Sequence, residues 1–148
     1  MIDHRTGVGV LINMLGGHEA TARAVGNAEG KTITSIALTD DTSDGALRFD
    51  FTDGSALLIY DDGRSCCESR WMHTDDNLSD FVGAVFLGAE VRDGPEEEGG
   101  EYDEYKESQF LVISTSIGQF TVINYNEHNG YYGGFWMVAR ELPAEPTP

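Results

Sequence analysis

From Lys31 onward the chain alternates apolar and polar residues with a period of two, and this alternation constrains the fold more than any other feature. Successive side chains of an extended strand take opposite faces, so a period of two marks a strand with one buried face. Ala46 to Thr52 carries the pattern cleanly: Leu47, Phe49 and Phe51 face one way, Arg48 and Asp50 the other. Asp53-Gly54 supplies a two-residue hairpin signal, Ser55 to Tyr60 returns, and Asp62-Gly63 turns again. Lys31 to Leu38 precedes this unit as another strand and ends in the turn-rich stretch Asp40 to Gly45. Half-buried strands joined in this way form an antiparallel meander.

The same reading continues to the end of the chain. Cys66 to His73 reads as a strand. Asp75 to Gly83 reads as a short helix with acidic N-cap candidates and a glycine stop. Ala84 to Arg92 is a strand with Val85, Leu87, Ala89 and Val91 on one face. Residues 93–105 are acidic and have little to bury, which predicts a mobile loop. Glu107 to Ser114 and Gln119 to Asn126 form a hairpin around Ser116-Ile117-Gly118. Asn129-Gly130 is the strongest hairpin signal in the chain, and Tyr131 to Glu141 is the last strand. Pro143, Pro146 and Pro148 mark residues 142–148 as a frayed tail.

The N-terminal segment differs. Val8, Leu11, Ile12 and Leu15 follow helical spacing, Gly16-Gly17 breaks it, and Glu19 to Val25 offers a second short helix ended by Gly26-Asn27. The expected architecture is therefore α+β. Short N-terminal helices (residues 1–30) pack on a mostly antiparallel meander sheet (residues 31–141) of about seven or eight strands. At 148 residues the chain makes one domain, 1–148.

Charge narrows the function. The chain has 26 acidic against 9 basic side chains, a net charge of −17. Nucleic-acid binders need a basic footprint, so direct nucleic-acid binding is not expected. A basic protein partner, cation binding or plain solubility fits instead. No stretch approaches the roughly 18 apolar residues of a membrane span, and the opening Met1 to Arg5 lacks a secretory apolar core. The only two cysteines, Cys66 and Cys67, are adjacent and cannot staple the fold. Free thiols point to a reducing cytoplasm.

Arg64 to Gly83 concentrates both cysteines, a tryptophan, a histidine and several acids. On a regular strand Cys67, Ser69, Trp71 and His73 share one face, and Cys66, Glu68, Arg70 and Met72 the other. Two adjacent thiols then cannot ligate one metal, and no Cys-x-x-Cys or His-x-x-x-His spacing occurs, so no metal and no cofactor is assigned. Cys67 and His73 are separated by roughly 20 Å of strand, too far for a thiol and its base. His128 remains available as a base for the thiol through a tertiary contact. Asp75, Asp76 and Asp80 read as helix caps more readily than as paired catalytic carboxylates. The candidate binding residues are Cys67, Glu68, Arg70, Trp71 and His73, with Asn129, Tyr131 and Tyr132 nearby; no catalytic residue is assigned.

These motifs carry a resemblance. Lys31 to Ile36, Thr52-Asp53-Gly54, Cys66-Cys67-Glu68-Ser69, Leu78 to Gly83 and Asn129-Gly130-Tyr131-Tyr132 occur in that order. From about Gly30 to Ala139 the chain resembles an uncharacterised family of small proteins, a domain of unknown function found largely in bacteriophages and prophages. The resemblance implies a phage-related origin and a place in the host cytoplasm, and it brings no activity. The expectation is a non-enzymatic acidic binding protein acting on a host or phage macromolecule, with inhibition or DNA mimicry as its sharper form. A small-molecule or metal-binding module or enzyme centred on Cys66 to Ser69 is the alternative, and a minor virion or assembly component is a third.

Overall fold

The computed structural model describes residues 10–11, 19–39, 46–62, 68–99, 104–128 and 134–144. Strands β1 (Val10–Leu11), β2 (Ile33–Thr39), β3 (Ala46–Phe51), β4 (Ala56–Asp61) and β5 (Glu68–His73) come first in chain order, with helix α1 (Glu19–Ala28) between β1 and β2. A 3-10 helix (Leu78–Phe81) follows, then β6 (Phe86–Gly99), β7 (Glu104–Thr115), β8 (Gly118–His128) and β9 (Met137–Leu142). The strands form two antiparallel sheets: a five-stranded one ordered β1-β6-β7-β8-β5 and a four-stranded one ordered β2-β3-β4-β9. The architecture is α+β, with one helix packed against an antiparallel system.

The core lies between the sheets. Leu47, Phe49 and Phe51 of β3 and Leu57 and Ile59 of β4 face Phe86, Leu111, Ile113, Phe120 and Val122 of the larger sheet, all buried. Phe49 sits at the meeting point, 5.1 Å edge-on to Phe86 and 6.2 Å from Phe120. The alternation in β3 thus places the apolar face as expected.

Helix α1 buries Thr21, Ala24, Val25 and Ala28, the spacing of one helical face. Thr21 Oγ1 accepts a hydrogen bond from Ala139 N at 3.2 Å, so the helix covers the outer edge of β9. The helix runs through Gly26, because Ala28 is still part of its buried face, and the chain turns at Gly30, whose φ is +89°. The two sheets also meet along the chain entering β2. Thr32 bridges Val85, Gly30 N donates to Phe86 O, and Phe86 N donates to Lys31 O.

Several expectations change. The first of the two predicted helices is not what Val10–Leu11 form: they pair with Val91 and Glu90 as an edge strand, where the free ladder of β6 outweighs a weak helical spacing. The meander divides between two sheets, since β5 leaves β4 to pair with β8. The hairpin expected at Asn129-Gly130 does not join its neighbours, because β8 pairs with β5 and β7 while β9 pairs with β4; the turn residues themselves lie outside the described residues.

The stretch Asp93 to Gly99, expected as loop, continues β6, and its backbone pairs with Glu104 to Gln109. Backbone hydrogen bonds carry this ladder without an apolar face, and a register shift between Asp93 and Glu96 accommodates Pro95, which has no N–H to donate. A second shift between Phe86 and Gly88 splits the face expected for β6: Ala89 and Val91 are buried as expected, whereas before the shift Phe86 turns inward and Leu87 outward. The first hairpin closes at Phe51 and Ser55 around three residues, with Gly54 at φ +86°, rather than around two. The expected short helix is the 3-10 helix, capped by Asn77, whose side chain accepts from Ser79 N, and followed by Gly83 at φ +94°. No helix among the described residues is long and apolar enough to cross a membrane.

Candidate functional site

Strand β5 pairs with β8 in strict register, and its side chains alternate as the sequence predicts. Met72 is buried and Arg70 points inward, its side chain 11% exposed, while Trp71 is partly exposed and His73 lies in solvent. The candidate residues are therefore not one constellation. Trp71 stacks on its ladder partner Tyr125 on the outer face, 5.0 Å between centroids, and Lys106 Nζ lies 4.9 Å from the Tyr125 ring. His73 Nε2 lies 2.8 Å from Asp75 Oδ1 at the surface. Glu68 takes its place in the backbone ladder opposite His128. Cys66, Cys67, Asn129, Tyr131 and Tyr132 lie outside the described residues.

Arg70 alone enters a larger polar arrangement between the sheets. On β8 the inward face carries Phe120 and Val122, then Asn124, Asn126 and His128, all buried. Register sets their neighbours: Met72 and Gln109 flank Asn124, and Arg70 and Glu107 flank Asn126. The core face of this sheet thus changes from apolar to polar midway along β8.

The backbone of Gly134, just before β9, ties the polar rows to the other sheet. Its carbonyl accepts from Arg70 Nη1 at 2.9 Å and from Asn126 Nδ2 at 3.2 Å, and its N–H donates to Glu107 Oε2 at 3.0 Å. Glu107 Oε1 in turn lies 2.6 Å from His128 Nε2. Asp61 at the end of β4 accepts from Arg70 Nη1 at 2.6 Å and from Trp136 N at 3.0 Å. The Arg70 guanidinium also lies 5.3 Å from the centre of the Trp136 ring. Buried charges are thus paired and hydrogen-bonded, as burial demands.

The amides are different. Asn124 Nδ2 and Oδ1, Asn126 Oδ1 and Gln109 Oε1 are buried without a hydrogen-bond partner among the described residues. Such groups are rare in folded proteins. No group of three or more His, Cys, Asp or Glu side chains among the described residues is placed to hold a metal ion.

Sequence reasoning singled out Arg70 and passed over Asp61, Glu107, Gln109, Asn124, Asn126 and Gly134. The missed signal is the series Asn124, Asn126, His128, which continues the face of Phe120 and Val122 at every second residue.

On the four-stranded sheet two carboxyls are held low. The Ser55 hydroxyl and N–H and the Lys31 ammonium hold the Asp53 carboxyl down at about 2. The Arg48 guanidinium, bonded to Asp50, lowers that carboxyl and is itself raised.

Over residues 27–138 the chain matches the family described as a domain of unknown function (DUF7448). No curated protein and no solved structure matches it. The matched span holds the larger part of both sheets and every residue of the polar rows.

Proposed function

We propose that this chain, which belongs to the family of domains of unknown function DUF7448, is a non-enzymatic binding protein that occupies a basic surface on a host or phage macromolecule. The observation that carries the reading is the partition of charge. Lys31 pairs with Asp53, Arg48 with Asp50, Arg70 with Asp61 and Arg92 with Glu90, while Lys106 lies over Tyr125. These five cations are occupied within the chain, and Arg23 and Arg140 are the exposed ones among the described residues. Exposed carboxylates remain at Glu19, Glu29, Asp62, Asp75, Asp76, Asp80, Asp93 and Glu127. A surface of this kind steers and holds a partner of opposite charge.

The resemblance carried by Cys66 to Ser69 and Asn129 to Tyr132 supports a phage-related origin and action in the host cytoplasm. The test is capture from bacterial lysate, followed by measured binding of the captured protein to the purified chain and to an Asp62→Asn, Asp75→Asn, Glu127→Gln variant. The reading expects a basic partner, weaker binding by the variant, and competition by duplex DNA if the carboxylates stand in for phosphates. A neutral or acidic partner held equally by both proteins contradicts it.

A further inference from the structure

Among the described residues four large apolar side chains stand exposed. Three of them, Val82 at 44%, Leu87 at 52% and Ile117 at 62%, lie at one end of the five-stranded sheet. The fourth, Trp136, lies apart from them beside Arg70. Backbone hydrogen bonds gather the three. Ser116 N donates to Val85 O and Val85 N donates to Ser116 Oγ, each at 2.9 Å, so the β7–β8 turn that carries Ile117 lies against the start of β6. Phe86 pairs with Thr115, and the register shift at Leu87 turns that side chain away from the core. Val82 follows the 3-10 helix, whose Phe81 ring lies 4.8 Å from the Phe120 ring just after the same turn. The turn is itself fixed: Thr115 Oγ1 donates to Gly118 O at 2.7 Å and accepts from Ile117 N at 3.3 Å. None of the three side chains packs on the buried core, so core packing does not account for them. Single apolar residues are ordinary on a surface, whereas a cluster of them marks an interaction site.

Charge decides what this cluster meets. Asp80 sits in the 3-10 helix shortly before Val82, and Asp76 Oδ2 accepts from Thr121 N at 2.9 Å on the strand that leaves the turn. Asp75, Asp76 and Asp80 are all exposed. Residues 73–91 and 107–128, which supply the cluster and its rim, contain no Lys or Arg. Lys31 comes close through its backbone, whose carbonyl accepts from Phe86 N, but its ammonium is held 3.0 Å from Asp53. An apolar patch rimmed by carboxylates complements a segment that presents aliphatic side chains beside Lys or Arg. A second copy of this chain would instead set the same carboxylates against one another. We propose that Val82, Leu87 and Ile117, with Asp75, Asp76 and Asp80 as their rim, form the docking surface for a basic, aliphatic-rich segment of a protein partner. This inference rests on the reading of the chain as a binder of basic surfaces, and it adds the place and the apolar half of the contact.

The test titrates the full chain with two synthetic peptides of equal length and charge, one alternating lysine with leucine and the other lysine with serine. Binding is followed by calorimetry and by the methyl resonances of Val82, Leu87 and Ile117. The proposal expects the lysine–leucine peptide to bind more tightly and to move all three sets of methyl resonances. The double variant Leu87→Ser, Ile117→Ser should weaken that binding about tenfold or more, through the lost apolar contact, and leave the lysine–serine peptide unaffected. Both side chains are more than half exposed, so the variant keeps the fold, and Val82→Ser provides an independent second variant. Equal binding of the two peptides, unmoved methyl resonances or unchanged binding by the variants overturns the proposal. If both peptides then still bind in a salt-sensitive way, the wider reading of an acidic binding surface stands without this docking site. Binding of neither peptide overturns both. Movement of the same methyl resonances with protein concentration alone, the mark of a second copy on this surface, also overturns the proposal.

Discussion

Arg70 Nη1 meets Asp61 Oδ2 at 2.6 Å, and this ion pair joins the five-stranded sheet to the four-stranded sheet with side chains only 11% and 8% exposed. Removing one partner of a buried pair strands the other. Arg70→Met is therefore expected to destabilise the fold by about 3 kcal/mol. The double variant Arg70→Met, Asp61→Leu should recover much of that loss. Denaturant unfolding of the two single variants and the double variant measures the coupling directly.

Asp53 links stability to pH. Its carboxyl titrates at about 2, below the ordinary 3.8, through the Ser55 hydroxyl first and then Ser55 N–H and Lys31. A lowered folded-state value means the contribution is fully present above the ordinary value and is lost as pH falls from about 4 toward 2. Asp53→Asn should remove this part of the acid sensitivity, seen as a shallower loss of stability in that window.

The turn from sequence to structure was legible where one side of a strand is apolar. Leu47, Phe49 and Phe51 announce a buried face, and the alternation of Arg70 to His73 gives the right sidedness for β5. The division into two sheets was not legible, because β5 pairing with β8 is a tertiary choice and the local signals around Asp62 only mark a turn. The acidic stretch was misread for a related reason: composition reports what side chains can bury, whereas the Asp93 to Gly99 ladder is carried by the backbone. The polar rows escaped notice because Asn124 and Asn126 look like solvent-facing residues until Phe120 and Val122 fix which face they share.

The register shift beside Gly94 depends on that glycine. A Cβ there would fall 2.9 Å from the Ser108 backbone oxygen, a group that cannot swing aside. Gly94→Ala should cost roughly 1–3 kcal/mol, the usual range for forced overpacking. Hydrogen exchange would show the loss as reduced protection in β6 and β7, with α1 unaffected.

Thr21 gives a cleaner test of the helix on the sheet edge. Its hydroxyl is the acceptor for Ala139 N, a buried donor at 3.2 Å. Thr21→Val keeps the shape and leaves that N–H unpaired, which should cost about 1–3 kcal/mol in thermal or denaturant unfolding. Thr21→Ser should retain most of the stability.

The measurement that bears most directly on the proposed function is the salt dependence of affinity for the captured partner, followed by calorimetry from low to high ionic strength. Recognition through exposed carboxylates predicts a steep loss of affinity as salt screens the charges. An affinity that stays flat across the series contradicts it.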